Sequence, residues 1–214
     1  MFKKDPTIIS DSNPLEVGEL KVYPNKLGYK DIRCNFQDVE HIGWYWLSQT
    51  TSIINTQKAE LSIYISGRDK PIHIKKTTLY VTPKIVSAYN FIAKKTFQNR
   101  LKFYTDQLET SGGFTYDNCN VYSDGRVVSN EKTFDLSKAN IEAFGISIKQ
   151  GGFFSPKVNI NLNIDRDVIL TLIDFILKNP QDPNIYVDNH KKQQDSQATH
   201  FLKDLILSQV YHLF

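Results

Sequence analysis

The side chains in this sequence that could do chemistry are few and lie far apart. Asp165 and Asp167 are close together, but a helical apolar pattern follows them, and capping and the helix dipole explain acidic residues at a helix start. No nucleotide-binding, metalloprotease or hydrolase motif occurs. No metal-ligand spacing joins the histidines, which are His41, His73, His190, His200 and His212. We therefore expect no enzyme activity, no metal and no cofactor; the alternative is a small hydrolase or nuclease whose site only the fold assembles.

The two cysteines, Cys34 and Cys119, belong to no C-x-x-C pair and have no histidine pair nearby. This usage predicts neither a zinc site nor a redox motif. Two reduced thiols on half-buried strands are the favoured interpretation, and a single disulfide is the alternative. The first six residues include three charged ones, Lys3, Lys4 and Asp5, and no apolar stretch follows them, so we expect no secretory signal and a reducing, cytoplasmic location.

Trp44, Tyr45 and Trp46 form the densest aromatic group. On a strand, Trp44 and Trp46 share one face and Tyr45 lies on the other, so both faces carry large rings. One face must belong to the core. The other is a candidate protein interface, because Trp and Tyr contribute much of the binding free energy at interfaces. Core packing on both faces is the alternative.

A second candidate surface is basic. Lys94, Lys95, Arg100 and Lys102 lie within one predicted helix, and the spacing of Lys95, Asn99 and Lys102 places them on one face. Such a strip would bind an acidic protein surface or nucleic acid. A solvated helix face explains the same pattern and is the favoured interpretation.

Composition excludes several classes of protein. The 214 residues are 40% hydrophobic and 23% charged, which is typical of a globular protein rather than a disordered chain or a coiled coil. The formal net charge of +3 is too small to indicate a polyanion partner, so nucleic acid is not expected. No run of about 18 apolar residues occurs, and no membrane-spanning helix is predicted.

Alternation of apolar and polar residues predicts antiparallel strands on both sides of one long helix. Before the helix, turn-forming residues at 24–28 and 67–71 separate the strands. After it, Asp124-Gly125 predicts a hairpin, because both residues tolerate positive φ. The predicted strands from residue 42 onward are 42–47, 52–65, 72–79, 114–122, 127–134, 141–149 and 158–164.

The hydrophobic period changes at Pro83, after which apolar residues recur every three or four positions. This change predicts a helix over 83–111, ended by Gly112. At about 42 Å, the helix is long for a small domain. A second change of period predicts a shorter helix over 168–178, with Asp165 or Asp167 as its cap.

The two ends of the chain are predicted to differ in structure. Residues 1–16 contain turn-forming residues and predict an irregular lead-in. Residues 180–197 are polar and predict a linker, whereas residues 198–214 carry a broad apolar face and predict a C-terminal helix. That helix must bury its apolar face, either on the preceding domain or, as the alternative, against a partner or a second copy in a homodimer.

The order of predicted elements occurs twice, which indicates an internal repeat unless two strand series match by chance. The matched positions are Val22 with Val121, Phe36 with Phe134, and residues 61–65 with 158–162. Antiparallel strands followed by one helix resemble the pleckstrin-homology-like (PH-like) superfold. The resemblance covers element order only. It implies an α+β protein with two antiparallel PH-like barrels or sheets, each closed by a helix, over residues 17–112 and 113–179.

Members of the PH-like superfold mostly bind lipids, peptides or proteins, so the resemblance implies a binding protein. Lys26, Lys30 and Arg33 match the region where some members bind phosphoinositides. Because Lys30 and Arg33 would face opposite sides of one strand, a membrane-surface module that binds anionic headgroups is the alternative hypothesis. We expect a cytoplasmic, non-catalytic module that binds another protein. In a bacterium it would be an immunity protein that neutralises a toxin, or a secretion adaptor.

Overall fold

The computed structural model describes residues 9–50, 55–78, 83–142, 145–151 and 155–179. Within these ranges the chain has fourteen strands, two α-helices and two short 3-10 helices. The strands form four antiparallel sheets, so the predicted α+β class is confirmed. None of these sheets closes into a barrel among the described residues, and the predicted barrels are not confirmed.

The chain divides into two compact units, and neither is one continuous segment. The first contains residues 1–101 and 163–166; the second contains residues 102–162 and 167–214. The first unit therefore includes a short stretch of chain far from the rest of its sequence.

The first unit contains two sheets. Its four-stranded sheet is formed in chain order by β1 (Leu15–Val17), β2 (Leu20–Val22), β3 (Lys26–Tyr29) and β4 (Ile32–Asn35). After a 3-10 helix (Phe36–Asp38) come the strands of the second sheet, β5 (Val39–Thr50), β6 (Asn55–Ile65) and β7 (Ile72–Thr78), and then the helix α1 (Pro83–Ser111). Alternate strand residues such as Leu61 and Ile63 pack in one core with Ile85 and Ile92 of α1.

The second unit also contains two sheets. The first is formed by β8 (Gly113–Tyr116), β9 (Cys119–Tyr122), β10 (Arg126–Ser129) and β11 (Lys132–Asp135). After a 3-10 helix (Leu136–Lys138) come β12 (Ala139–Ile141), β13 (Gly145–Lys149) and β14 (Lys157–Asn161), and then the helix α2 (Arg166–Lys178). The Tyr104 ring meets the rings of Phe114 and Tyr116 edge-on, with centroids 5.5 and 6.2 Å apart.

Both series of elements have the same order, but two of the predicted matches are displaced. By position in this order, Phe36 at the start of its 3-10 helix corresponds to Leu136 rather than Phe134. Residues 61–65 lie in β6, the central strand of its sheet, whereas residues 158–161 lie in the edge strand β14. The reason is that an alternating strand pattern matches itself after a shift of two residues.

Short hairpins replace two of the longer predicted strands. The stretch 114–122 is broken at Asp117, where φ is 52°, and 127–134 is broken at Asn130 and Glu131, where φ is 48° and 62°. Positive φ is uncommon outside glycine, although Asn and Asp tolerate it better than most residues. The turns therefore carry no glycine or proline from which they could be predicted.

The predicted turn at 24–28 is shorter than expected, and a second turn follows β3. The chain reverses between the paired strands β2 and β3 at Pro24-Asn25, where the Tyr23 N–H donates to the Lys26 carbonyl at 3.0 Å. Gly28, expected in this turn, lies within β3, and the chain reverses again at Lys30, where φ is 53°. The Asp124-Gly125 hairpin is confirmed, because it joins the paired strands β9 and β10.

The predicted bounds of α1, 83–111, are confirmed over its 29 residues. Its apolar stripe is buried from Ala93 to Leu108. The helix ends where Gly112 takes a φ of 70° and its N–H donates to the Leu108 carbonyl at 2.9 Å. A left-handed glycine at this position is a common helix terminator.

Some predictions concern residues outside the described ranges. These are the linker 180–197, the helix 198–214 with its homodimer, and residues 1–8 of the lead-in. The lead-in was expected to reach residue 16, but β1 begins at Leu15. In the part of the chain that the structure describes, no helix is long and apolar enough to cross a membrane.

We predict that Gly113→Ala destabilises the protein. A β-carbon at Gly113 would lie 2.8 Å from the Val121 carbonyl oxygen, and backbone atoms cannot rotate away as a side chain can. The expected loss in free energy of unfolding is about 1–3 kcal/mol, measured by urea unfolding followed by circular dichroism. Lys132→Ala, at an exposed strand position, is the control and should change stability by less than about 0.5 kcal/mol. Equal stability of the two variants would contradict this packing.

Candidate functional site

The most unusual feature of the first unit is a pair of opposite charges inside it. The side chains of Arg100 and Asp165 are both 0% exposed, and Arg100 Nη1 lies 3.0 Å from Asp165 Oδ1. Arg100 also donates from Nε to Thr96 Oγ1 at 3.0 Å and from Nη2 to the Ala93 carbonyl at 2.9 Å. Because a buried charge without a partner is costly, each member of the pair requires the other.

The segment 163–166 brings Asp165 to this position by pairing with β5. Trp44 N–H donates to the Asn163 carbonyl at 2.7 Å, and Asp165 N–H donates to the Ile42 carbonyl at 2.8 Å. The carboxylate of Asp165 in turn accepts the Ile42 N–H at 2.9 Å, while its Oδ2 lies 2.5 Å from Nδ1 of His41. Asp165 itself has a φ of 45°, a strained backbone conformation that these hydrogen bonds and the ion pair hold in place.

Two interpretations from the sequence are corrected here. Arg100 was grouped with the exposed lysines of α1, but it is buried. Asp165 was explained by helix capping, which did not predict its contacts with Arg100 and His41. The spacing of apolar residues in α1 did indicate that Arg100 is buried. Arg100 is three residues after Phe97 and seven after Ala93, so it lies on the apolar stripe. A cation on a buried stripe implies a buried carboxylate, although not which one.

An aspartate that orients a histidine is also a component of acid–base catalysis. Here the same carboxylate is bound by the Arg100 guanidinium. The His41 side chain is 24% exposed and lies at the margin of the buried network. Neither His41 nor Asp165 lines the cleft described next. This geometry favours a structural role, in which the network holds the segment 163–166 against β5.

An open cleft of about 420 Å³ lies between the β3–β4 turn and the end of β6. Its charged residues are two cations, Arg33 and Arg68, and two anions, Asp31 and Asp38. Because the opposite charges are equal in number, the cleft is not a strongly electropositive pocket. Ile32, Cys34, Ile65 and Ser66 complete the lining.

The three predicted lipid-headgroup residues are not gathered into one site. Arg33 lines the cleft, and its Nη1 donates to the carbonyls of Lys30 and Ile32 at 3.1 and 3.0 Å. Lys30 pairs with Glu19 at 3.5 Å, and Lys26 lies 5.3 Å over the Tyr23 ring. Lys30 lies in a turn and not on the strand of Arg33, so the two side chains do not lie on opposite faces of one strand as predicted.

The predicted aromatic group divides into two partly buried residues, Trp44 and Tyr45, and one exposed residue, Trp46. The Trp44 ring stacks on Tyr89 of α1, with centroids 4.7 Å apart and planes inclined by 21°, and packs against the core. Trp46, two residues further along β5, is 42% exposed. Tyr45 is half-buried, and Lys58 Nζ lies 5.4 Å over its ring.

The three predicted helix lysines are all exposed but have different surroundings. Lys94 and Lys95 belong to the first unit, and Lys95 Nζ lies 5.6 Å over the ring of Phe91. Lys102 belongs to the second unit and pairs with Asp106 one helical turn further on.

Neither cysteine is poised as a nucleophile. Cys34 and Cys119 are both buried free thiols, so the favoured interpretation of reduced cysteines agrees with the structure. Burial, and to a lesser extent the nearby Asp38 carboxylate, raise the pKa of the Cys34 thiol to about 11. Burial also raises the pKa of Cys119. Because the thiolate is the reactive form, both side chains behave as small core residues near neutral pH.

One further pair has a nucleophile next to a base. Ser62 Oγ lies 3.0 Å from Nδ1 of His73 on the solvent-facing side of β6 and β7. Neither residue lines the cleft. Among the described residues, no group of three or more His, Cys, Asp or Glu side chains could hold a metal ion.

Comparison of the chain with protein-family models, with curated proteins and with solved structures found no match.

We predict that Asp165→Asn strongly destabilises the protein, because it leaves the Arg100 guanidinium buried without a counter-charge. The expected loss in free energy of unfolding is about 3–5 kcal/mol, measured by urea unfolding. The control Asp174→Asn breaks the exposed Lys178–Asp174 pair and should cost less than about 1 kcal/mol. Adding Arg100→Met to Asp165→Asn should recover part of the loss, since it removes the orphaned charge. Equal effects of Asp165→Asn and Asp174→Asn would contradict the buried pair.

We predict that Cys34 in the folded protein reacts slowly with iodoacetamide. In a Cys119→Ser background at pH 8, labelling should be about 100-fold slower than in urea, because the raised pKa of Cys34 leaves little thiolate. The rate should rise as the pH approaches 11. Equal rates in the folded and unfolded states at pH 8 would contradict this environment; mass spectrometry measures both.

Proposed function

We propose that the protein is a non-catalytic protein-binding module, and that it binds its partner with the aromatic end of its β5–β6 hairpin. This hairpin surface consists of Trp46 on one face of the hairpin and of Tyr45 and Lys58 on the other. The observation that carries the proposal is the 42% exposure of Trp46, whereas Trp44 on the same face is partly buried and packs against the core.

The contrast between the two tryptophans supports a binding role for the second. The Trp44 ring stacks on the Tyr89 ring, so a side chain of the same unit already covers the sheet at Trp44. Trp46 exposes a large ring that no core packing accounts for. Burying such a ring in a partner would contribute about 1.5–3 kcal/mol, and tryptophan is enriched among the residues that dominate binding energy.

The opposite face of the hairpin carries Tyr45 and charged side chains. Lys58 lies over Tyr45 and pairs with Glu60 at 2.7 Å. The hydrogen bond between Lys58 and Glu60 raises the pKa of Lys58 and lowers that of Glu60, so both stay charged at neutral pH. A partner that contacts both faces at this end of the hairpin would bury Trp46 and meet these charged groups at the margin of the interface, where polar residues are typical.

The buried groups support the non-catalytic part of the proposal. Arg100 binds the carboxylate that would otherwise be available beside His41. The raised pKa of Cys34, about 11, keeps that thiol protonated. The headgroup hypothesis has less support, because Asp31 and Asp38 oppose Arg33 and Arg68 in the cleft.

We further propose that the two units are duplicated PH-like units. Each has four strands, a 3-10 helix, three strands and a helix. Four consecutive elements begin exactly one hundred residues apart: at Lys26 and Arg126, Ile32 and Lys132, Phe36 and Leu136, and Val39 and Ala139. An immunity protein or a secretion adaptor would use such a scaffold to present a binding surface.

A photo-cross-linking experiment tests the hairpin surface. A photoreactive phenylalanine replaces Trp46 in the full-length protein in its native cells, and Phe103, which is 47% exposed in the second unit, is replaced in the control. We expect one protein to cross-link from position 46 and not from position 103. No adduct at position 46, or the same adducts at both, would contradict the proposal.

Once that partner is purified, Trp46→Ala should weaken its binding about 30-fold, the effect of a residue worth about 2 kcal/mol. The melting temperature should change little, because Trp46 lies outside the core. Titration calorimetry measures the affinity. Unchanged affinity would show that Trp46 is not the anchor.

A further inference from the structure

The exposed face of α1 in the first unit carries three cations. Lys84, Lys94 and Lys95 are all exposed, and the sequence contains no Asp or Glu from Pro83 to Thr105. Within the parts of the chain that the structure describes, no ion pair joins these three lysines to a carboxylate. We call this set the basic ridge.

Several other lysines of the protein are paired with carboxylates. Lys21 pairs with Glu16 at 3.0 Å, Lys58 with Glu60 at 2.7 Å, and Lys102 with Asp106. Such pairs reduce the field that a lysine presents to solvent. On the ridge that reduction is missing, and the cations repel one another without local compensation.

Helical geometry aligns the ridge. Lys84 and Lys95 are eleven residues apart, close to three full turns, so they lie along one line about 16 Å long. Phe91 lies on the same line and is half-buried, with its ring 6.0 Å from that of Phe36. Lys95 sits over this ring, which restricts the ammonium group, and Lys94 is beside it.

Arg100 does not contribute to this field. It is the one arginine of α1, and its charge is neutralised inside the unit by Asp165. The exposed cations of the first-unit part of α1 are therefore all lysines, compact point charges that attract a carboxylate without the bidentate geometry that an arginine offers to carboxylates and phosphates alike. The aromatic ring of the ridge is held between Lys95 and Phe36, an arrangement that does not favour stacking of a base.

We propose that the basic ridge binds an acidic segment of the partner protein, with carboxylates distributed over about 16 Å. In an extended peptide this length corresponds to about five residues. The inference rests on the proposed function, because it names the chemistry of the partner, but it concerns a different set of residues from the hairpin surface. Charge attraction of this kind increases the association rate and selects the orientation of the partner.

A charge-reversal experiment in the full-length protein tests the ridge. The ridge variant is Lys84→Glu, Lys94→Glu, Lys95→Glu; the control is Lys70→Glu, Lys132→Glu, Lys157→Glu, which makes the same charge change at exposed positions elsewhere. The probe is a fluorescent peptide of about ten glutamates, and anisotropy measures its affinity at low salt. Circular dichroism checks the fold, and a triple Lys→Gln variant replaces the ridge variant if the latter is unfolded.

We expect the ridge variant to bind the peptide at least about tenfold more weakly than the wild type, and the control less than about threefold more weakly. Equal losses would overturn the inference, because they would reflect net charge alone. Tighter ridge-dependent binding of a thymidine oligonucleotide or of vesicles containing phosphatidylserine would also overturn it. Trp46→Ala should leave peptide binding unchanged, so failure of the ridge and failure of the hairpin surface are distinguishable.

Discussion

The buried contact between Arg100 and Asp165 constrains the rest of the first unit. Both side chains are fully buried and they are joined at 3.0 Å, so the desolvation of each charge is offset only while the other is present. The two residues are 65 positions apart in the chain. The first unit therefore depends on residues 163–166, which follow the strands of the second unit in sequence. A contact of such long range closes a large loop of the chain, at a cost in conformational entropy.

This contact also determines which side chains remain available at the surface. Arg100 is buried in the unit, so the exposed cations in the first-unit part of α1 are all lysines. Pairing of the 163–166 segment with β5 positions Asp165 beside His41, at the margin of the same network. The core that α1 forms with the second sheet covers Trp44 through Tyr89 but leaves Trp46 exposed. The two proposed binding surfaces therefore consist of side chains that the core and the buried ion pair leave exposed.

The same reasoning connects the chemistry of the unit to a binding role. Its carboxylate beside a histidine is held by a guanidinium, and its thiol has a pKa raised to about 11 by burial. The cleft beside the β3–β4 turn balances two arginines with two aspartates. In each case a group that could react or attract a charged ligand already has a compensating neighbour. Trp46 remains 42% exposed, and no ion pair among the described residues compensates the lysines of the basic ridge. These are therefore the surfaces on which we expect an external partner to gain most.

Hydrophobic periodicity predicted the antiparallel strands and the course of α1, because the alternation or helical spacing of apolar residues depends only on which face of an element is buried. The glycine at position 112 predicted where the helix ends. Periodicity did not predict the hairpins at Lys30, Asp117 and Asn130, where residues other than glycine take positive φ because the paired strands hold them there. The residue types also suggested both candidate surfaces, but only the tertiary structure distinguished Trp44 from Trp46 and Arg100 from its neighbouring lysines. Burial and ion pairing join residues from distant parts of the chain, and no local pattern contains the identity of a partner 65 residues away.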